Sequence, residues 1–189
     1  MNRKRETGNG KGETRTVTLL LGVLCASAMN AAALDTETML NQMIAEESRN
    51  GAELRGDGGR SRGILHIQAK FWSDVTDWRA ARKLATKPYA WVSDPAWSRE
   101  YGRSGLTMLE GKLSAVSVQP SAGKIYAAYN LGFAKFKARG FDLRRCPRRT
   151  RAAAAAVEMA VWDADLSRRF RELSAAGARL AANRPGGAR

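Results

Sequence analysis

The stretch AEESRNGAELRGDGGRSRGILHI, residues 45–67, determines how this chain is organised. It begins with two adjacent glutamates, Glu46 and Glu47, continues through a run rich in glycine and charge, and ends in an apolar segment. Because the glycine-rich run cannot continue a helix, residues 50–63 are predicted to form a loop or a short hairpin. Any β structure is therefore expected near residues 50–70.

Helical patterns lie on both sides of this stretch. Asp35 or Thr36 can cap a helix that runs to Ser48, with apolar residues at helical spacing. After the loop, residues 64–78 return to an apolar periodicity. Five of their side chains are expected in the core: Leu65, Phe71, Trp72, Val75 and Trp78.

Two further helices are predicted in the middle of the chain. One starts at Pro95, in the first helical position that proline favours, and the next starts at Ser121. Residues 82–94, which precede the first of these helices, are interpreted as a connector. Gly102 and Gly105 weaken the apolar stripe that follows Pro95.

A last, long helix is predicted after the basic segment RRCPRRTR, residues 144–151. Strand signals are weak throughout, so we predict a mainly α fold with β structure confined to the loop region near residues 50–70. The apolar side chains of the last helix fall near one face: Val157, Val161, Trp162, Leu166, Phe170, Leu173 and Leu180.

Composition limits the partners of this chain more than its fold. The 189 residues suffice for one domain with a real core. The net charge of +14 favours binding to polyanions, such as nucleic acid, anionic lipid or an acidic cell-wall polymer.

The first 33 residues are typical of a secretory signal peptide, with a basic start, a short apolar run and small residues at the end. Cleavage is possible after Ala28 or after Ala33, and we favour Ala33 because a helix start follows it. The alternative is an uncleaved anchor, for which the apolar run is marginal in length. We therefore expect a periplasmic or secreted protein with no stable membrane span after processing.

The residue types exclude several kinds of chemistry. His66 is the single histidine and has no convincing Ser or Cys partner, which disfavours a nucleophilic triad. Glycine motifs that bind phosphates are absent. Removal of the signal peptide leaves Cys146 as a lone cysteine, so we expect no metal site and no cofactor. Carboxylates remain as the catalytic candidates, and they suit glycosidic chemistry.

The glutamate pair at positions 46 and 47 has two interpretations. Glu47 lies four residues after Met43 and three after Ile44, so it leans toward the apolar face of its helix. A half-buried carboxyl group has a raised pKa, as a general acid near neutral pH requires. The charge pattern alone favours the other interpretation, in which two exposed glutamates balance Arg49.

The motifs of this region resemble those of the goose-type lysozyme and soluble lytic transglycosylase family. Glu47-Ser48 is similar to the Glu-Ser pair that ends a helix in that family, and the GDGG run at residues 56–59 is similar to its glycine-rich loop. Residues 61–67 are similar to the next block, Ser-x-Gly-Leu-x-Gln-Ile. Farther on, AAYNLG at residues 127–132 is similar to the AAYNxG block that lines the sugar cleft. The resemblance covers roughly residues 37–142 and implies a lysozyme-like α+β fold.

The resemblance implies an enzyme that cleaves peptidoglycan between N-acetylmuramic acid and N-acetylglucosamine. Glu47 would protonate the glycosidic oxygen and then act as base on the muramyl 6-hydroxyl, as in a lytic transglycosylase. This route needs one protein carboxylate, whereas a hydrolytic lysozyme needs a second one to place water. Asp57 is the sequence-near candidate for that second role, although an Asp before Gly-Gly commonly serves a tight turn.

The same resemblance implies a set of substrate-binding residues: Ser61, Gly63, His66, Tyr129 and Asn130. His66 departs from the family, which usually has glutamine at this position. An imidazole can replace one hydrogen bond of that glutamine, but it is bulkier and titrates near neutral pH. We therefore give His66 no catalytic role at this point.

These interpretations divide the chain into a signal peptide at 1–33, a lysozyme-like transglycosylase domain at 34–143 and a basic helical extension at 144–189. We expect peptidoglycan as the partner, a monomeric protein, and no binding of nucleic acid. Two rival hypotheses are a basic module that binds polyanions and a lysozyme-like domain that binds peptidoglycan without cleaving it. The basic module would use the dense arginine cluster at 144–151, while His66 in place of glutamine keeps the non-cleaving domain open.

Overall fold

The computed structural model describes residues 34–182, so the predicted signal peptide lies outside the described residues. The prediction of a mainly α fold with a small β region is confirmed. No helix among residues 34–182 has the length and apolar character needed to cross a membrane. The six α-helices of this part of the chain are α1 (Thr36–Ser48), α2 (Ala69–Ala80), α3 (Pro95–Ser114), α4 (Ala122–Leu131), α5 (Phe133–Ala138) and α6 (Arg148–Ala182).

Local chemistry sets both ends of α1. Asp35 caps its start, where the carboxylate accepts a hydrogen bond from the Thr38 amide at 3.1 Å. The helix ends at Arg49, whose backbone is left-handed with φ of 51°. The buried hydroxyl of Ser48 accepts a hydrogen bond from the Gly51 amide at 2.9 Å, which secures the turn after the helix. Glu47 is therefore held at a fixed helix end.

The glycine-rich region forms three short antiparallel strands, β1 (Arg55–Gly56), β2 (Ser61–Arg62) and β3 (Ile67–Gln68). In this sheet Ser61 pairs with Gly56 on one side and with Gln68 on the other. A short 3-10 turn at Asp57–Gly59 joins β1 to β2, and Gly58 and Gly59 supply its positive φ angles of 66° and 90°.

Two of the three glycines of α3, Gly102 and Gly105, serve helix packing. A Cβ added at Gly102 would lie 2.6 Å from Leu65 Cδ1, and one added at Gly105 would lie 2.5 Å from Phe71 Cζ. The sequence predicted that these glycines weaken the stripe, but the structure uses them to bring neighbouring side chains close to the α3 backbone. Of the core side chains predicted between residues 64 and 78, Leu65, Trp72 and Val75 are buried, while Phe71 and Trp78 are only partly buried.

The connector predicted at 82–94 contains a 3-10 helix at Tyr89–Ser93. Its preceding residues are tied to the core, because the Trp72 indole donates to the Lys87 carbonyl at 2.8 Å. The Trp72 ring also stacks on Tyr101 at a centroid distance of 3.6 Å, which links α2 to α3.

The long helix α6 is buried near its start and exposed farther along. Its first half packs against α1 and α4, with Ala153, Ala154 and Val157 buried. Gly123 of α4 allows this close packing, because a Cβ there would lie 2.9 Å from the Ala154 carbonyl oxygen. Farther along, Trp162, Phe170 and Leu173 of the predicted apolar face are exposed, and the side chain of Leu180 lies outside the described ones.

Candidate functional site

A cavity of about 580 Å³ lies where the end of α1, the small sheet, α4 and the first turn of α6 meet. Its volume is within the usual range for small-molecule sites. Six of the residues proposed from sequence line it: Glu47, Asp57, Ser61, His66, Tyr129 and Asn130. Residues separated by more than 80 positions in sequence are thus brought to one cavity.

Gly63 is the proposed substrate-binding residue that does not line the cavity. Its φ is +75°, and an added Cβ would strike the carbonyl of Val92. Its backbone amide donates to the Leu54 carbonyl at 3.1 Å. Because Gly63 has no side chain, its backbone can lie close to the backbone of Val92.

The two glutamates of the opening stretch have different surroundings. Glu46 accepts a hydrogen bond from Gln42, one turn earlier, at 3.1 Å. Glu47 lines the cavity, and its side chain is only 10% exposed. The helix end therefore directs one carboxylate of the pair toward the cavity.

The carboxylate of Glu47 is held asymmetrically. Its Oε1 atom accepts hydrogen bonds from the Tyr126 hydroxyl at 2.8 Å and from Asn130 Nδ2 at 3.2 Å. Within residues 34–182, no donor lies within hydrogen-bonding distance of Oε2. One oxygen fixes the orientation of the group, and the other remains available to a ligand.

Tyr126 is a site residue that the sequence analysis missed. It lies four residues before Asn130 on α4, so both side chains project from the same face of the helix toward Glu47. This spacing is the sequence signal that could have found it. Burial, together with the negative charge of Glu47, raises the pKa of the Tyr126 phenol, which keeps it protonated as a donor.

Thr150 also contributes to the arrangement and carries no sequence signal of its role. Its hydroxyl, buried in the first turn of α6, donates to Asn130 Oδ1 at 2.8 Å. Because an amide oxygen accepts and an amide nitrogen donates, this contact orients Asn130 so that Nδ2 faces Glu47. The segment predicted as an extension therefore contacts the residues that hold the carboxylate.

Tyr129 has a different role from its neighbour Asn130. One residue corresponds to about 100° of helix rotation, so its side chain leaves α4 in another direction. Its hydroxyl donates to the Leu65 carbonyl, and its ring meets Phe71 edge-on at a centroid distance of 5.0 Å. Burial raises the pKa of Tyr129 well above its usual range. The hydroxyl, predicted to contact sugar, thus secures the chain just before His66.

His66 stands beside the available oxygen of Glu47. Its Nε2 atom lies 2.8 Å from the Glu53 carbonyl oxygen, which can only accept, so Nε2 carries a proton. Its Nδ1 atom lies 3.9 Å from Glu47 Oε2. The imidazole is accommodated because a Cβ at Gly56 would lie only 2.6 Å from Nδ1. Gly56 therefore leaves the space that the His66 ring occupies.

Ser61 supplies a polar group that is not satisfied within the protein. Its side chain is 1% exposed, and its hydroxyl has no hydrogen-bond partner among the described residues. A buried hydroxyl without a partner costs about 1–3 kcal/mol. A ligand that hydrogen-bonds to Ser61 would remove this cost, since Ser61 lines the cavity.

Asp57 lies across the cavity on the exposed turn of the sheet, with φ of 52°. Its Oδ2 atom accepts a hydrogen bond from Gln68 Nε2 at 3.0 Å. Two other carboxylates that line the cavity are ion-paired, Glu53 with Arg49 and Asp74 with Lys70. Within the described part of the chain, Asp57 has no such cationic partner.

Charged side chains of both signs line the cavity, and the described residues hold no metal-ligating cluster. In residues 34–182, no group of three His, Cys, Asp or Glu side chains could hold a metal ion. Five cationic side chains line the cavity: Arg55, Lys70, Lys112, Lys135 and Arg149. Four carboxylates line it as well, those of Glu47, Glu53, Asp57 and Asp74.

Comparisons with known proteins give no information about this site. No family model, curated protein or solved structure matches the chain. The functional argument therefore rests on the residues of the site.

Proposed function

We propose that this protein cleaves the β-1,4 bond between N-acetylmuramic acid and N-acetylglucosamine in peptidoglycan, as a lytic transglycosylase with Glu47 as its single acid/base. One observation carries the proposal. Glu47 lines the cavity with Oε1 held by Tyr126 and Asn130 while Oε2 has no protein donor among the described residues. A general acid needs this combination of fixed orientation and an available oxygen.

The reaction proceeds in two proton transfers through Glu47. The protonated carboxyl group gives its proton to the glycosidic oxygen as the bond to the muramyl C1 breaks, and the N-acetylglucosamine hydroxyl leaves. The resulting carboxylate then takes the proton of the muramyl 6-hydroxyl, whose oxygen bonds to C1. The product carries a 1,6-anhydro ring, and Glu47 returns to its protonated state.

The protein groups around Glu47 match these steps. The donors on Oε1 stabilise the carboxylate formed after the first transfer, because hydrogen bonds to a charged group are stronger than neutral ones. The hydroxyl of Ser61 can bond the sugar chain, and the cationic rim can attract the carboxylates of the muramyl group and its stem peptide. An envelope substrate agrees with the proposed export to the periplasm or beyond.

Hydrolysis is the second candidate function, and Asp57 is the observation that favours it. This carboxylate lines the same cavity and is hydrogen-bonded to the neutral Gln68. An inverting hydrolase places water with a second carboxylate about 6.5–9.5 Å from the acid. In that case water, in place of the 6-hydroxyl, attacks C1.

Digestion of purified peptidoglycan, followed by mass spectrometry of the products, tests the proposal. We expect 1,6-anhydromuramyl ends from the wild-type protein and none from Glu47→Gln. Reducing ends that take up oxygen from labelled water would indicate hydrolysis and contradict the transglycosylase proposal. Sedimentation with peptidoglycan without any cleavage would replace both by a binding protein.

A further inference from the structure

From Met159 onward, α6 presents a row of apolar side chains to solvent. Met159, Trp162, Phe170 and Leu173 are 62%, 61%, 68% and 70% exposed, the highest values among the large apolar residues that the structure describes. Leu166, at the middle of the row, is partly exposed. We refer to these five residues as the α6 seam. An exposed apolar row of this length marks an interaction surface.

The width of the α6 seam identifies the kind of partner. At 3.6 residues per turn, its five side chains fall within an arc of about 80°. A strip this narrow is typical of a helix–helix seam, whereas a helix that lies on a membrane has a broader apolar face. Asp163 immediately flanks the strip, where lipid contact would bury its carboxylate.

The spacing of the α6 seam is the same when read from either end. Met159 and Leu173 lie seven residues before and after Leu166, and Trp162 and Phe170 lie four before and after it. An antiparallel second copy, related by a twofold axis at Leu166, therefore places apolar residues opposite one another all along the seam. Trp162 then meets the partner's Phe170, and Leu166 meets the same residue of the partner.

Charge along the α6 seam also suits a second copy. Asp165 lies on one flank and is paired within its own chain with Arg169 at 2.7 Å and with Arg168. The antiparallel arrangement brings Arg169 of each copy beside the other copy's Asp165, so that intrachain pairs join into a network. The central segment 163–169 holds two acidic and two basic residues. Two chains of net charge +14 can thus meet where the local charge is balanced.

We propose that this protein forms an antiparallel twofold dimer through the α6 seam. The dimer replaces the monomer expected from the sequence, because only the structure shows that this face is uncovered. Arg149, the cavity residue on α6, lies ten residues before the seam, or about 15 Å along the helix. The dimer is argued from the α6 seam alone, so it stands independently of the proposed enzymatic function.

Sedimentation velocity of the purified protein with substitutions at Leu166 tests the proposal. Because the twofold axis brings position 166 against itself, Leu166→Glu and Leu166→Lys should each sediment as a single chain at every concentration. An equal mixture of the two should recover the dimer, since each glutamate then faces a lysine. Leu84→Glu is the matched control, because Leu84 is also exposed, at 44%, but lies outside α6. It should remain dimeric.

Helical content by circular dichroism establishes that each variant is folded, and the double variant Trp162→Ser, Phe170→Ser provides a second route to the monomer. A wild-type protein that is monomeric at high concentration would overturn the proposal. So would Leu166 variants that stay dimeric, or a mixture that does not reassociate. Wild-type monomers that sediment with phosphatidylglycerol vesicles would assign the seam to a membrane surface instead.

Discussion

The cavity has two walls that hold their carboxylates in different ways. In the helical wall, Glu47 is nearly buried and two donors from α4 fix one of its oxygens. In the sheet wall, Asp57 lies on an exposed turn and has one donor, Gln68, from the neighbouring strand. Helices that pack through a shared core can hold a reactive group in one geometry, while an exposed turn leaves its carboxylate adjustable. The helical wall therefore fixes its carboxylate more firmly than the sheet wall does, which is why the proposed acid is Glu47.

Removal of the acid on the helical wall should have the largest effect. Glu47→Gln keeps the size of the side chain but cannot donate the catalytic proton, so cleavage should fall by about 10²–10⁴-fold. Release of muropeptides from purified peptidoglycan measures this loss. Glu46→Gln is the control, because Glu46 contacts only Gln42 and should retain near wild-type activity. Equal losses in both variants would contradict the assignment of Glu47.

Loss of a donor to Glu47 should have the next largest effect. Tyr126→Phe removes the hydrogen bond to Oε1 and leaves the ring in place, so kcat should fall by about 10-fold or more while KM changes little. Tyr129→Phe is the control, because its hydroxyl donates to the Leu65 carbonyl. That variant should lose about 1 kcal/mol of unfolding free energy with a smaller change in kcat. A larger loss of kcat in Tyr129→Phe than in Tyr126→Phe would contradict the role assigned to Tyr126.

Substitution of Thr150, which orients Asn130, should have a smaller effect on kcat. Thr150→Val keeps the shape of the side chain but removes the hydrogen bond that orients the amide, so kcat should fall by about 2–10-fold. Thr107→Val is a suitable comparison, because the Thr107 hydroxyl is exposed and donates within α3. An unchanged kcat in Thr150→Val would mean that Asn130 is oriented without α6.

Substitution of Asp57, in the sheet wall, should have the smallest effect on cleavage. Asp57→Asn should change cleavage by less than about threefold, because the proposed transglycosylase route needs only one protein carboxylate. Retention of the hydrogen bond to Gln68 should also keep the turn intact. A loss comparable to that of Glu47→Gln would show that both walls carry chemistry, and would favour the hydrolytic lysozyme.

Local patterns in the sequence were sufficient for several helix starts and for the hairpin, although not for the 3-10 helix at Tyr89–Ser93. The Asp35 cap, the start of α3 at Pro95 and the glycine-rich hairpin after Ser48 each depend on residues within a few positions of one another. Caps, proline positions and glycines with positive φ act through neighbouring backbone groups, so they can be read without knowledge of the rest of the chain. The same local reasoning directed attention to Glu47 at the end of its helix.

Contacts between distant residues had no such local signal. The hydrogen bond from Tyr126 to Glu47 joins residues 79 positions apart, and the role of Thr150 depends on how the first turn of α6 meets α4. The function of Gly102 and Gly105 likewise became evident only from the side chains that pack over them. Such pairings are set by the packing of whole helices.

Local sequence patterns were enough to predict the mainly α fold, the glycine-rich hairpin and a carboxylate at a helix end. The tertiary structure decided which oxygen of Glu47 is held, which tyrosine holds it and which half of the apolar face of α6 is covered. The physical reason is the same in each case. Periodicity specifies which side chains share a face, while the packing of distant elements determines what lies opposite that face.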